Sequence, residues 1–256
     1  MKDKVIVITG ASAGIGKALA ELVGKKGAVP VLAARRRPEL DAVAKAAGDR
    51  SVVVVADVSK RVDVERLAAT AIEKCGRIDV WVNNAGRGIS RLPSQLTDDD
   101  VDEMMLVNFK SALYGMQAVL PHFQQRNDGQ IVNVSSMLGR VPFTAARAAY
   151  TASKHALDGL TGSLRLELYQ SHPGITVTTV HPGVVATDFG NNAKHGGLDS
   201  RSFPNAQSAE QVADVIAQAI ESKQVDVYTQ PFGKKVVVDY FGADDMADAE
   251  RAMLRR

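Results

Sequence analysis

The sequence predicts an α/β fold, a doubly wound parallel sheet of about seven strands with helices on both faces. Short β-branched runs alternate with longer stretches of helical period, which is the signature of strand–helix–strand units. The short runs are nearly continuous in apolar character, as expected of strands covered on both faces. Strands are expected at 5–9, 29–34, 51–56, 78–83, 130–135 and 175–181, with a seventh near 225–228. Helices are expected at 15–26, 38–47, 60–75, 98–126, 148–171 and 208–222. The 256 residues suit one domain, since α/β folds commonly run to about 250 residues as a unit. No composition break marks a linker, so residues 1–256 are expected to form a single domain.

Composition narrows the function classes. A formal net charge of +2 gives no support for nucleic-acid binding. No apolar run approaches the ~18 residues a membrane span needs, and the first residues lack the pattern of a secretion signal. The single cysteine, Cys75, cannot close a disulfide within the chain. It is expected to be a small filler near a helix end, and the protein is expected in the cytoplasm. No metal site is expected.

In an open parallel sheet, ligands bind outside the carboxyl ends of the strands. The first strand ends in Thr9-Gly10-Ala11-Ser12-Ala13-Gly14-Ile15-Gly16. Glycines there permit a tight turn and close approach of backbone to a pyrophosphate, with the following helix supplying amide donors. The second strand ends in Ala33-Ala34-Arg35-Arg36-Arg37. A carboxylate in that neighbourhood would hold the 2′-hydroxyl of an NAD ribose. Arginines suit a 2′-phosphate instead, so NADP is favoured, with Arg35 and Arg36 as the clamp and Ser12 as helper. Asp57, beside Val58 at the third strand end, can accept from an adenine amino group or cap the next helix. After the fourth strand, Asn83 and Asn84 can knit strands together, while Ala85 and Gly86 leave room for a flat ring.

Residues 97–100 resemble an acidic catalytic cluster but read as a helix start, with Thr97 as N-cap. Asn108 is a polar residue in an apolar stretch and needs partners if buried. Ser135 and Ser136 close the fifth strand. Tyr150 and Lys154 lie one helical turn apart on one face. A fixed ammonium is expected to lower the phenol's pKa and make it a usable proton donor. A serine hydroxyl beside the tyrosine can hold a carbonyl oxygen between two donors. The sixth strand ends His181-Pro182-Gly183, where the Pro-Gly pair forces a turn. Thr187, just beyond Val185, can bond a nicotinamide carboxamide. His181 reads as an interior strand-end residue.

Taken in this order and spacing, these motifs resemble the short-chain dehydrogenase/reductase family from Thr9 to about Asp188. The resemblance implies a Rossmann-type fold that binds NAD(P), with Asn108, Ser136, Tyr150 and Lys154 as a catalytic tetrad. Tyr150 would give or take the proton at the substrate oxygen, and Lys154 would hold the nicotinamide ribose. Ser136 would hold the substrate oxygen, and Asn108 would position a water linked to Lys154. The expected cofactor contacts are Gly10, Ser12, Gly14, Ile15, Gly16, Arg35, Arg36, Asp57, Val58, Asn84, Ala85, Gly86, Tyr150, Lys154, Pro182, Gly183, Val185 and Thr187. The gap from Ser136 to Tyr150 is one residue longer than is usual in the family, which places an insertion around 143–147. The resemblance further implies a substrate lid at about 188–206 and a homodimer or homotetramer.

The expected activity is NADP(H)-dependent hydride transfer between the cofactor and a carbonyl or secondary alcohol. Alternatives are a 3-oxoacyl thioester reductase, an alcohol or steroid-type dehydrogenase, or a catalytically silent NADP(H)-binding sensor. Residues 244–256 are expected to form a short charged amphipathic helix.

Overall fold

The computed structural model describes residues 1–253. Seven parallel strands form one sheet in the order β3-β2-β1-β4-β5-β6-β7: β1 Val5–Thr9, β2 Val29–Ala34, β3 Val52–Val55, β4 Val80–Asn83, β5 Gly129–Val134, β6 Ile175–His181 and β7 Asp226–Tyr228. The helices are α1 Gly14–Lys25, α2 Arg37–Ala47, α3 Arg61–Cys75, α4 Asp98–Met105, α5 Ser111–Arg126, α6 Ala148–Ser171, α7 Ala209–Ser222, α8 Gly233–Phe241 and α9 Met246–Met253. This is the doubly wound, Rossmann-like architecture that the alternation of strand and helix predicts.

Period-two geometry divides each strand between two cores. Ile6 and Ile8 of β1 join Leu19 and Val23 of α1, Leu40 of α2 and Ile216 of α7 on one face. Val5 and Val7 point the other way, toward Leu67 of α3, Phe123 of α5 and Leu164 of α6. Each fully buried side chain of this size contributes roughly 1.5–3 kcal/mol, so both sheet faces are strongly specified. The strand order reverses between β1 and β4. Their connections leave toward opposite faces, and a crevice opens at their carboxyl ends.

Several boundaries differ from expectation for physical reasons. β4 starts at Val80 rather than Ile78. The Ile78 N–H donates to His122 Nε2 at 3.1 Å and its carbonyl accepts from Arg126 Nη1 at 2.8 Å, which takes both groups out of the ladder. β3 is shorter than the expected 51–56 at both ends. The helix expected at 98–126 is interrupted by a π turn at Leu106–Lys110, where the Ser111 N–H bonds to Leu106 O. The expected tail helix is α9, preceded by α8, and the two are tied by Tyr240 Oη donating to Glu250 Oε1 at 3.0 Å. Residues 254–256, the end of that expected helix, lie outside the described residues. Cys75 is the last residue of α3, half-buried against the second core, and burial pushes its thiol up. No helix among the described residues is long and apolar enough to cross a membrane.

Candidate active site

The turn between β1 and α1 is built by the absence of side chains. Gly10 and Gly14 have φ of 66° and 54°, values that favour glycine. A Cβ on Gly10 would lie 2.9 Å from Ala85 Cα, and one on Gly16 would overlap Gly10 O. The α1 N-cap is Ala13, which offers no side-chain bond, and its first turn holds no acid. The orphan amides of that helix end are therefore free to take an anion. Asn84 braces the turn from the β4 side, its Nδ2 donating to Thr9 O at 2.9 Å. Thr9 Oγ1 accepts from the N–H groups of Asn84 and Ala85 at 3.0 and 3.1 Å. Ile15 packs on the first core, so it anchors the helix start.

At the end of β2, Arg36 donates to Ser12 Oγ at 3.3 Å and pairs with Glu39 at 3.0 Å. Arg35 is exposed and has no carboxylate within 4 Å among the described residues. Asp57 Oδ1 accepts from Ser59 N and Oγ at 3.1 and 2.7 Å, so it organises the turn before α3. Val58 packs on the second core. Past β6, the Pro182 carbonyl accepts from Met137 N at 2.8 Å, which ties the ends of β5 and β6. Gly183 lies against Gln230, and Thr187 lies against Gly14. Val185 packs on the first core and accepts from the Thr187 N–H at 2.8 Å. Free helix amides, an uncompensated arginine and a glycine-walled turn fit a nicotinamide dinucleotide.

Ser136, Tyr150 and Lys154 converge where β5 and α6 meet, and all three are at least 92 % buried, with exposures of 8, 8 and 4 %. Burial pushes Tyr150 up to about 12, against the lowering effects of the Ser136 hydroxyl and the Arg147 charge. Desolvation thus dominates the phenol, and the charge that lowers it is that of Arg147 rather than the expected Lys154. Lys154 Nζ sits 5.7 Å from the Tyr150 ring centroid and donates to Val134 O at 2.8 Å. Burial pulls it down to about 8. At neutral pH the tyrosine therefore holds its proton and the lysine its charge. Of the serine pair, Ser136 faces Tyr150, and Ser135 faces Asp158.

Asn108 lies in the π turn, 1 % exposed. Its Oδ1 accepts from Arg87 N at 2.8 Å, and its Nδ2 donates to Arg87 O at 3.0 Å and Ser153 Oγ at 3.2 Å. These bonds pin the loop after β4 to α6, and π turns recur where such a local adjustment serves a site.

Two charged clusters were not foreseen from sequence. Asp158, one turn beyond Lys154, is raised by burial, and its carboxyl oxygens have no hydrogen-bond partner. It lies 3.5 Å from Arg140 Nε and 3.6 Å from His181 Nδ1. His181 is fully buried as expected, 2.8 Å from Asp226 Oδ1 and stacked on Tyr228. The second cluster centres on Asp100. Thr97 caps α4 in a capping box with Asp100, as the helix-start reading requires. The same carboxylate is also gripped by Arg91 at 2.8 Å, Lys194 at 3.0 Å and His195 at 2.8 Å. Those contacts, led by the Arg91 hydrogen bond, hold it well below the usual carboxylate range. Lys194 also bonds Glu103 at 2.9 Å, and Glu103 pairs with Arg87. Only the spacing of Thr97 and Asp100 signalled any of this, because the partners lie up to 95 residues away.

The family model for short chain dehydrogenase matches residues 4–197. The oxidoreductase YxnA of Bacillus subtilis is 37% identical over 245 residues, covering 93% of this chain and 68% of the relative. A short chain dehydrogenase/reductase from Burkholderia phymatum, solved in complex with NAD, superimposes with a TM-score of 0.84 at 26% identity, covering 92% of each chain. An alcohol dehydrogenase from Thermococcus sibiricus, complexed with 5-hydroxy-NADP, gives a TM-score of 0.76 at 26% identity, covering 89% of this chain and 94% of that one.

Proposed function

The chain belongs to the short-chain dehydrogenase family and is by that membership an NAD(P)-dependent oxidoreductase, and we propose that it uses NADP(H) to interconvert a carbonyl compound and a secondary alcohol. The observation that carries this reading is the buried convergence of Ser136, Tyr150 and Lys154 beside the glycine turn. A bound nicotinamide cofactor supplies or accepts the hydride.

The roles of the side chains follow from their surroundings. Tyr150, protonated at neutral pH, donates its phenolic proton to the substrate oxygen during reduction and takes one back during oxidation. Ser136 holds that oxygen from the other side. Lys154 spends one donor on Val134 O and keeps two for the hydroxyls of the nicotinamide ribose. As charge develops on the tyrosine oxygen, the nearby ammonium of Lys154 and the guanidinium of Arg147 stabilise it. Asn108 acts by position, holding Arg87 and Ser153 in register around the tyrosine. Gly10, Gly14, Gly16 and the α1 amides seat the pyrophosphate. Ser12, Arg35 and Arg36 take the 2′-phosphate, which is the ground for preferring NADP over NAD.

Residues 188–206 act as the lid over the substrate within a single domain. The exposed Leu166 and Tyr169 of α6, 79 and 78 % accessible, support a homodimer or homotetramer; light scattering would test it. A cytoplasmic setting suits a chain with one cysteine. The deciding experiment follows NADPH and NADH consumption against aldehydes, ketones, diketones and 3-oxoacyl thioesters. Turnover confined to NADPH is expected. Tight NADPH binding without turnover of any compound would instead favour a sensor.

A further inference from the structure

We infer that the substrate carries a carboxylate a few bonds from its reacting carbonyl, and that Arg147 binds it; the inference deepens the oxidoreductase reading and rests on it. Among the described residues, every arginine but three has a carboxylate oxygen within 4.0 Å. The exceptions are Arg35, Arg147 and Arg165. Arg165 is satisfied in another way, donating to Val177 O, Val225 O and Thr179 Oγ1 at 3.1 to 3.3 Å. Arg35 is exposed at the cofactor end. Arg147 is half-buried and spends one of its five N–H donors, on Ile89 O at 3.0 Å. Removing a guanidinium from water without a counter-ion is unfavourable, and burial is the main influence pulling Arg147 down.

Its position explains what the charge is for. Arg147 precedes Tyr150 by three residues, one turn away at the start of α6. Its guanidinium lies between the loop after β4 and the lid. A Cβ on Gly88 would come 2.9 Å from Nη1, and one on Gly197 would come 3.1 Å from Nη2. Neither glycine has a left-handed φ; Gly88 lets the guanidinium and the Phe189 ring pack against its backbone, and a Cβ on Gly197 would meet the Gly190 carbonyl before the guanidinium. The same Cβ on Gly88 would touch the Phe189 ring, whose edge meets Tyr150 at 5.5 Å between centroids. Arg147 therefore lies beside the proton donor, packed between the backbones of Gly88 and Gly197. A planar fork with open donors matches a carboxylate, which it can hold through two parallel bonds.

The test compares acids with their own neutral esters. NADPH-dependent reduction of 2-oxobutanoate, 3-oxobutanoate and 4-oxopentanoate is measured beside the three methyl esters, for the native protein, Arg147→Gln and Arg147→Lys. The native protein is expected to prefer at least one acid over its ester. Arg147→Gln should lower kcat on acid and ester alike, because its charge acts on Tyr150, and in addition lower the acid-to-ester ratio of kcat/KM by about 30-fold through KM, the size expected for a charged hydrogen-bonded pair. Arg147→Lys should recover part of it. Preference for every ester over its acid, or an equal loss on acid and ester in Arg147→Gln, would overturn the inference while leaving the oxidoreductase reading intact. If no carbonyl were reduced, that reading would fail, and calorimetric titration of the NADP⁺-loaded protein with 4-oxopentanoate would still decide the role of Arg147. Binding lost in Arg147→Gln supports it; equal binding in both proteins, or none in the native one, refutes it.

Discussion

Around Gly10 and Gly16 the chain is shaped by backbone conformation and by missing side chains; around Asp100 it is held by charges that arrive from residues 91, 194 and 195. The first region is local, with its contacts drawn from two adjacent strands. The second joins the start of α4 to Lys194 and His195 across almost a hundred residues. A cofactor common to many reactions suits the first construction, which leaves little to vary. The second construction places a buried carboxylate, Asp100, under three cations, so it ties residues 194 and 195 firmly to the start of α4. Tyr150 and Lys154 stand where the two regions meet.

The largest expected effect lies at that junction. Tyr150→Phe should cut turnover by about 10²–10⁴-fold, the usual worth of a positioned proton donor, while NADPH affinity measured by fluorescence stays within about threefold. A matching loss of NADPH affinity would mean that the tyrosine belongs to the nucleotide region. Lys154→Met probes the energetic cost of the junction. In the folded protein burial holds Lys154 down to about 8, whereas in the unfolded chain it titrates near 10.5. Between those values the unfolded chain carries the extra proton, so stability from this group rises with pH, and below 8 the penalty is complete. The methionine variant loses the bond to Val134 O at every pH, but its stability relative to the native protein should be higher at pH 7 than at pH 10. Urea unfolding at both pH values would show it; a constant difference would remove buried charge as its cause.

In the nucleotide region, Arg35→Ala with Arg36→Ala should weaken NADPH by roughly 10–100-fold, as expected for lost charge-assisted bonds, and NADH by less than about threefold. Equal losses would end the 2′-phosphate assignment. In the charged region, Asp100→Asn should speed hydrogen exchange of the amides at 190–197 by at least about tenfold and leave those at 10–16 unchanged. Uniform acceleration in both segments would erase the contrast between the two regions.

That contrast also explains what the sequence discloses. Strands 5–9 and 29–34 are readable to the residue as nearly continuous apolar runs between turn signals, and 175–181 as a β-branched Ile, Val and Thr run that ends at Pro182-Gly183. Ile78 reads as strand but gives its backbone groups to His122 and Arg126, and nothing near it in the chain announces those partners. The glycine turn and the Tyr150–Lys154 pair were visible because their spacing is their geometry. Asp100 was visible only as half of a capping box, and Asp158 not at all, although it lies one turn beyond Lys154. The rise of Tyr150 to about 12 was hidden for a related reason: spacing shows which charge is near, but burial depends on the whole fold.

The π turn at Leu106–Lys110 has a consequence for the length of the chain. It accommodates one residue more than a regular helix of the same span would hold. Deleting a single residue there would let α4 and α5 run on as one uninterrupted helix, a change that helical propensity alone would favour. The flanking turns would keep their faces, because the extra residue is absorbed within the bulge, but the widened turn that presents Asn108 to Arg87 and Ser153 would be gone. In this segment a helix of ideal regularity and a working cleft are alternative uses of the same stretch, separated by one codon.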